Sequence, residues 1–214
     1  DMDSDLSRLE GAGVDFVFSP PVEEMYSKGF DTHVDVGSIA DRLEGAARPG
    51  HFRGVATVVC KFLAIARPDV AYFGQKDFQQ SLVIKRLVAD LDLGAEIAVV
   101  PTVRENDGLA LSSRNFYMGP EPRKTAAVLY RALLEARSLW SEGGEDAEEI
   151  RRRTRALIEE EPLADIEYVS VADAATLEEL DDIRAPALVS LAVRIGEARL
   201  IDNIVLERPP DTPS

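Results

Sequence analysis

The chain has 214 residues, of which 45% are apolar and 29% charged, so it can form a packed core and is neither disordered nor collagen-like. The net charge of −15 argues against a protein whose main partner is nucleic acid. Residues 141–182 contain fifteen acidic residues and four arginines. The rest of the chain is therefore close to neutral and can still form a pocket for an anionic small molecule.

Cys60 is the single cysteine, so no disulfide can form within these residues, as is typical of a reducing compartment. No apolar run approaches the ~20 residues of a membrane span, and no basic-then-apolar leader opens the sequence. Two separated histidines and one cysteine cannot build a zinc site of ordinary spacing. We therefore expect a cytoplasmic protein without a membrane partner.

The first half of the sequence predicts an α/β fold with a parallel sheet. A strand–helix–strand sequence, typical of a βαβ unit, is predicted here. It consists of a strand at Val70–Phe73, a helical pattern that starts at Phe78, and an apolar strand from Glu96 to Val103. Gly94 is expected to end the helix. Further strands are predicted at 14–18 and 33–36, and a further helix at 55–66.

The second half predicts a smaller α+β fold. Residues 106–108 are a turn signal, 111–115 are expected to be irregular, and a hairpin is predicted at the end of the chain. The helices are predicted at 121–141 and 145–160, and the strands at 166–171, 187–195 and 199–206. We therefore predict two domains, 1–104 and 105–214, and expect residues 208–214 to be frayed.

The first candidate site, Gly74-Gln75-Lys76-Asp77, lies where open α/β sheets bind ligands, after a strand and before a helix. Glycine lets a ligand approach the backbone, the helix N-terminus attracts an anion, and Lys76 adds a charge suited to phosphate. Asp77 is expected either to cap the helix or to accept a hydrogen bond from a ribose hydroxyl. An ordinary βα loop with a solvated lysine explains these residues equally well.

The second candidate is Ser112-Ser113-Arg114-Asn115, because two hydroxyls and a guanidinium in one short loop can satisfy the oxygens of a phosphate. An ordinary exposed loop is the simpler alternative. A third candidate is the Gly- and Pro-rich loop 48–54, whose basic side chains can line an anionic site or lie on the surface. His33 is expected to be structural or exposed. One of Gln79 and Gln80 must face inward, where its amide can orient a substrate.

Four ordered segments closely resemble the pantothenate synthetase (pantoate–β-alanine ligase) family, from about residue 5 to about residue 207. They are Arg-Pro-Gly-His-Phe-Arg-Gly-Val (48–55), Phe-Gly-Gln-Lys-Asp-Phe-Gln-Gln (73–80), Pro-Thr-Val-Arg-Glu-Asn-Asp-Gly-Leu-Ala-Leu-Ser-Ser-Arg-Asn (101–115) and Arg-Leu-Ile-Asp-Asn (199–203). The resemblance implies that pantoate's carboxylate attacks the α-phosphate of ATP, giving pantoyl adenylate and pyrophosphate. The amine of β-alanine then displaces AMP.

The resemblance also implies a fold and a set of site residues. The fold is a Rossmann-like nucleotidyltransferase domain, here with an incomplete parallel sheet, followed by a smaller α+β domain that closes over ATP; Mg²⁺ and a homodimer are implied as well. Gln80 matches the family's pantoate-binding glutamine, and Gln75 stands where the family commonly has Glu. The implied ATP-binding residues are Gly74, Gln75, Lys76, Asp77, Val103, Leu111, Ser112, Ser113 and Arg114. Lys76, Ser112, Ser113 and Arg114 are expected to stabilise the charge that builds up during the reaction.

One departure from the family pattern bears on activity. The family's His-x-Gly-His phosphate motif, and a glutamine that contacts pantoate and β-alanine, precede all the matched positions. We therefore expect a chain that lacks the family's N-terminal part and has impaired activity. Two alternatives stay open: another nucleotidyltransferase of the same superfamily, and a non-catalytic dimerisation fragment.

Overall fold

The structure is a computed structural model that describes residues 2–184 and 186–207. Contacts divide the chain into one compact unit that ends at His33 and a second that begins at Val34. The domain boundary between residues 104 and 105 stays a prediction, and the expected fraying of 208–214 lies outside the described residues.

The first unit contains two helices, α1 (Met2–Gly11) and α2 (Val22–Met25). The strand predicted at 14–18 is wrong, since this segment has no regular structure and pairs with no strand within residues 2–184 and 186–207. A run of β-favouring side chains becomes a strand only when a neighbouring strand takes up its backbone hydrogen bonds.

The second unit contains the predicted βαβ arrangement, which the structure confirms. Strand β1 (Val70–Gly74) is followed by a 3₁₀ turn (Gln75–Asp77), and helix α5 (Phe78–Asp90) leads to strand β2 (Glu96–Val100). The two strands are parallel, with Val70 opposite Glu96. Strand β2 ends before Pro101 rather than at residue 103, because proline has no amide hydrogen to donate to a ladder.

The segments before β1 are a 3₁₀ helix (Gly37–Ala40) and helices α3 (Glu44–Ala47) and α4 (His51–Ala66). The strand predicted at 33–36 is wrong, because the amide of Val34 donates to Thr57 Oγ1 on α4 (3.0 Å) rather than to another strand. Helix α4 begins four residues earlier than predicted. Residues 51–54 are therefore its first turn and not a loop.

The remaining elements form a three-stranded antiparallel sheet with two long helices. The helical elements come first: a 3₁₀ helix (Ser113–Tyr117), α6 (Pro120–Thr125), α7 (Val128–Ser141) and α8 (Ala147–Glu159). They are followed by three strands, β3 (Ala164–Asp173), β4 (Ala187–Ile195) and β5 (Ala198–Leu206). The strands pair in the order β3-β4-β5. The helix predicted at 121–141 is interrupted at residues 126–127. The helix predicted at 145–160 is confirmed, and the carboxylate of Asp146 caps its N-terminus.

The two faces of this sheet have different surroundings. Alternate residues of β4, from Ala187 to Ile195, belong to the core that also contains the apolar side chains of α7 and α8. The opposite face lines a pocket, with Tyr168, Leu188, Ser190, Arg199, Ile201 and Asn203. No helix among the described residues is long and apolar enough to cross a membrane.

Candidate functional site

The pocket lies between the βαβ part and the antiparallel part of the second unit. One wall consists of residues from α3, the first turn of α4 and the segment 76–80; the other is the outer face of the antiparallel sheet together with Arg114. The lining residues are Leu43, Glu44, Arg48, His51, Phe52, Lys76, Asp77, Phe78, Gln79, Gln80, Arg114, Tyr168, Leu188, Ser190, Arg199, Ile201, Asp202 and Asn203.

Lys76 and Asp77 reach the pocket from the 3₁₀ turn that joins β1 to α5. Lys76 forms no ion pair with any residue of the described chain. Asp77 is the N-cap residue of α5, but its carboxylate makes no capping hydrogen bond, so the capping role considered for it is wrong. Both charged groups are therefore available to a ligand at the N-terminus of a 13-residue helix.

Arg114 enters the same pocket from the 3₁₀ helix at 113–117. Its amide donates to Ser112 Oγ (3.3 Å), which caps that helix, and its guanidinium donates to the carbonyl of Arg199 (3.0 Å). Lys76 and Arg114 therefore line one pocket although they come from different parts of the unit.

Gln80 also lines the pocket, together with Lys76, Asp77 and Arg114. The other predicted site residues are absent from the pocket lining: Gly74, Gln75, Val103, Leu111, Ser112 and Ser113. Gly74 has an extended backbone with open space around it, which fits the predicted close approach of a ligand. Leu111 and Val103 are neighbours, because the amide of Leu111 donates to the carbonyl of Val103 (2.9 Å).

Gln79 and Gln80 have different environments at the start of α5. The Gln79 side chain is buried, and its amide nitrogen donates to the carbonyls of Ile39 (2.8 Å) and Arg42 (2.7 Å). Its amide oxygen accepts a hydrogen bond from the backbone N–H of Glu44 (3.0 Å). Gln79 therefore holds the 39–44 loop, and Gln80, which is half-buried, is the one of the pair with a free amide toward the pocket.

Glu44 and Arg199 join the two walls of the pocket. The guanidinium of Arg199 donates two hydrogen bonds of 2.8 Å to the Glu44 carboxylate, and Tyr168 Oη donates a third (3.0 Å). Burial alone would raise the pKa of Glu44, but its hydrogen bonds with Arg199 and the Arg199 charge outweigh burial, so the pKa lies below its ordinary value. Burial and the nearby Glu44 charge raise the pKa of Tyr168, which therefore remains a donor.

Strand β5 also contacts the turn that carries Lys76. The side-chain amide of Asn203 donates to the carbonyls of Gln75 (3.0 Å) and Lys76 (2.9 Å). Its neighbour Asp202 is fixed by two hydrogen bonds from the Arg104 guanidinium (2.6 and 3.0 Å). The pocket therefore includes a polar edge of β5 that reaches across to the βα turn.

The basic segment 48–54 divides into residues inside and outside the pocket. Arg48 and His51 line it, and their side chains are 3.3 Å apart, whereas Arg53 forms an ion pair with Asp35 (2.8 Å). Burial and the Arg48 charge lower the pKa of His51, which favours the neutral form of its ring. It can then accept the hydrogen bond from Arg48.

The charges of the pocket favour an anionic ligand. Arg48, Lys76 and Arg114 have no carboxylate partner in the described part of the chain, whereas Glu44 and Asp202 are neutralised by arginines. Asp77 is then the unpaired carboxylate among the lining residues. A phosphate or carboxylate group would find uncompensated positive charge and helix N–H groups at this position.

Comparison with known proteins gives consistent results. The model of the pantoate–β-alanine ligase family matches residues 1–205. A pantothenate synthetase of Roseiflexus sp. (strain RS-1) is 58% identical over 97% of this chain and 74% of its own length. The crystal structure of pantothenate synthetase from Thermus thermophilus superimposes with a TM-score of 0.94 at 47% identity, over 97% of this chain and 75% of that chain.

A third relative was solved with ligands. A pantoate–β-alanine ligase from Francisella tularensis, crystallised in complex with β-γ ATP and β-alanine, has a TM-score of 0.75 and 31% identity over 99% of this chain and 72% of that chain. These similarities confirm the expected α/β nucleotidyltransferase fold.

Proposed function

This chain belongs to the pantoate–β-alanine ligase family and is a ligase, and we propose that it joins pantoate to β-alanine through ATP-dependent formation of pantoyl adenylate. One observation carries the proposal: Lys76 and Arg114, two cations without carboxylate partners among the described residues, line one pocket from opposite sides. The β-γ ATP and β-alanine bound to the Francisella tularensis relative support the same choice of ligands.

The first step in this proposal is adenylation. A carboxylate oxygen of pantoate attacks the α-phosphorus of ATP, the bond to the β-phosphate bridge oxygen breaks, and pyrophosphate leaves. Negative charge builds up on the transferring phosphate and on the leaving group. Lys76 and Arg114 stabilise that charge most effectively when they are held in place before the reaction, since no reorganisation is then needed. Ser112 and Ser113, at the N-terminus of the 3₁₀ helix that carries Arg114, are proposed to donate to the phosphates.

The second step is aminolysis of the adenylate. The amine of β-alanine attacks the acyl carbon, AMP leaves, and the amine loses a proton. Gln80 is proposed to hold pantoate through its amide in both steps, because a fixed acyl group removes the entropic cost of bringing the reactants together. Four further residues, which do not line the pocket, remain proposed ATP contacts: Gly74, Gln75, Val103 and Leu111.

Mg²⁺ is proposed to accompany ATP. In the described residues, no group of three or more His, Cys, Asp or Glu side chains could hold a metal ion. Mg²⁺ in nucleotide sites is commonly held by phosphate oxygens, water and one or two carboxylates, and the free carboxylate of Asp77 fits that arrangement. When bound, the ion would neutralise part of the polyphosphate charge.

Two further properties are proposed from the family resemblance. They are a homodimer and a location in the cytoplasm, the latter also favoured by the single cysteine. Sedimentation of the full-length protein at several concentrations tests the first, and a dominant monomer would refute it.

The proposed function can be tested by two assays of the full-length protein. We expect labelled pyrophosphate to exchange into ATP only when pantoate is present, and AMP to form only when β-alanine is added as well. A nucleotidyltransferase that keeps the nucleotide on its product would release pyrophosphate without AMP. A non-catalytic protein would show neither reaction, and either result would overturn the proposal.

A further inference from the structure

We propose that Asn203 is a positioning residue that fixes the backbone of the Lys76 turn and thereby directs the Lys76 ammonium group. This inference rests on the proposed function for its kinetic consequence, but its geometric basis is independent of it. Asn203 is separated from Gln75 by 128 positions in the sequence, and its amide nitrogen donates to two successive carbonyls of the turn.

The orientation of the Asn203 amide follows from its partners. Both atoms facing it are carbonyl oxygens, at 3.0 and 2.9 Å, so the group that points at them must be the NH₂ and not the oxygen. Asn203 is only 4% exposed, and water cannot easily replace these bonds. Two donated hydrogen bonds to adjacent residues restrict rotation of the peptide planes on both sides of the Lys76 Cα.

Asn203 is itself held firmly in place. It lies on β5, which pairs with β4 along its length, with Asn203 opposite Ser190. Its backbone N–H donates to Asp202 Oδ1 (2.8 Å), and that carboxylate receives two hydrogen bonds from Arg104. The antiparallel sheet therefore holds Asn203 in a fixed position, and Asn203 in turn holds the backbone of the Lys76 turn.

The Lys76 turn needs such support because its own hydrogen bonds are few. Residues 75–77 form a single 3₁₀ turn, and the N-cap carboxylate of Asp77 does not bond to the helix that follows. Lys76 has no ion pair in the described residues that would hold its side chain. The contact from Asn203 is thus what orients the backbone from which the ammonium group extends.

The test is a double-variant cycle in the full-length protein with Asn203→Ala and Lys76→Ala. Asn203→Ala is expected to raise the Kd for ATP and to slow pantoate-dependent pyrophosphate exchange, each by about tenfold. The reaction of supplied pantoyl adenylate with β-alanine should change by less than about twofold, because that step needs no triphosphate. The double variant should be no worse than Lys76→Ala alone, since Asn203 acts through that residue.

Controls separate positioning from general stability. Ile204→Val, on the same strand but on the face that belongs to the helix-packed core, should leave both half-reactions unchanged. Asn203→Asp, which keeps the shape but presents an acceptor to two carbonyls, should weaken ATP binding more than Asn203→Ala does. If Asn203→Asp does not fold, the Ala variant alone decides the question.

Three results would overturn the inference: an unchanged Kd for ATP in Asn203→Ala, an equal loss in both half-reactions, or effects of the two single variants that multiply in the double variant. A wild-type protein that binds ATP but shows no pyrophosphate exchange would instead refute the proposed function. In that case the Kd for ATP, measured in the two single variants and the double variant, still decides the role of Asn203.

Discussion

Arg199 and Glu44 are 155 residues apart in sequence, yet they share two hydrogen bonds of 2.8 Å across the pocket. This ion pair joins strand β5 to the short helix α3. It is largely buried, with 18% and 10% of the two side chains exposed. Removing the Glu44 carboxylate leaves two N–H groups of a poorly solvated guanidinium without their acceptors, although Arg199 keeps a second carboxylate partner, Glu167 (2.7 Å). This loss costs more than the loss of an exposed pair.

We therefore expect Glu44→Gln to lower the free energy of unfolding by about 1–3 kcal/mol at pH 7, as measured by urea denaturation. The matched control is Glu178→Gln, which removes the pair between Arg42 and a Glu178 side chain that is 66% exposed. That variant should lose less than about 0.5 kcal/mol, because water screens exposed pairs. Equal losses in the two variants would contradict a special role of the buried pair.

The same residue predicts a pH dependence. Because the folded-state pKa of Glu44 lies below its ordinary value of 4.5, the unfolded chain binds a proton first as the pH falls. The stability contributed by this carboxylate is complete above that ordinary value and is lost as the pH falls through the lower, folded-state pKa. The difference in stability between wild type and Glu44→Gln should therefore shrink in acid. A difference that stays constant from about pH 7 to about pH 3 would refute this assignment.

Lys76→Ala should slow adenylation by about 100-fold or more, because a positioned cation that meets developing charge is lost. Its free energy of unfolding should change by less than about 0.5 kcal/mol, because Lys76 forms no ion pair within the described residues and belongs to no core cluster there. Lys85→Ala provides the control, since Lys85 is exposed on the same helix, α5, outside the pocket lining. Pyrophosphate exchange and thermal unfolding measure the two effects, and parallel losses in both would argue against a catalytic role.

Arg114→Ala should raise the KM for ATP by about tenfold to 100-fold, the range for one charge-assisted hydrogen bond to phosphate. The control is Arg53→Ala, because Arg53 pairs with Asp35 and does not line the pocket. Initial rates at varied ATP and saturating pantoate give the KM. An unchanged ATP dependence would remove Arg114 from the site.

The adjacent residues Gln79 and Gln80 are expected to have different roles, Gln79 in stability and Gln80 in substrate binding. Gln79→Ala removes three hydrogen bonds to the 39–44 loop and should cost about 2–4 kcal/mol of stability. Gln80→Ala should raise the KM for pantoate and leave the free energy of unfolding within about 0.5 kcal/mol of wild type. Urea denaturation and pantoate titration of both variants test the pair, and the opposite assignment of effects would refute it.

The sequence predicted those parts of the fold whose pattern is local. The observed limits of strand β4, Ala187–Ile195, agree with the prediction because Pro186 and Gly196 bound its apolar run. The βαβ order is confirmed because it follows from the periodicity of the apolar residues. The strands predicted at 14–18 and 33–36 failed because pairing depends on distant partners. For Val34, the partner of the amide is a threonine hydroxyl on a helix.

The site was predictable to a similar extent. Lys76, Asp77, Gln80 and Arg114 line the pocket as the motifs predict. One of the two adjacent glutamines faces inward as expected, but this residue, Gln79, binds the 39–44 loop. The sequence motifs do not identify Glu44, Tyr168 and Asn203 as functional or organising residues. Arg199 and Asn203 carry a signal that period-2 analysis can find, because they are polar residues on one face of an otherwise apolar strand. Glu44 carries none, since its contacts with Gln79 and Arg199 join residues that are 35 and 155 positions apart in the sequence.

The Lys76 turn and Asn203 are far apart in the sequence, so the turn is synthesised long before the residue that fixes it. The turn leaves the ribosome well before β5 does, and nascent chains begin to fold from the end made first. The hydrogen bonds that fix the turn form only after β5 has joined the sheet, so the pocket matures later than the βαβ unit. A nascent chain arrested before β5 should therefore hold its βαβ unit but have little affinity for nucleotide.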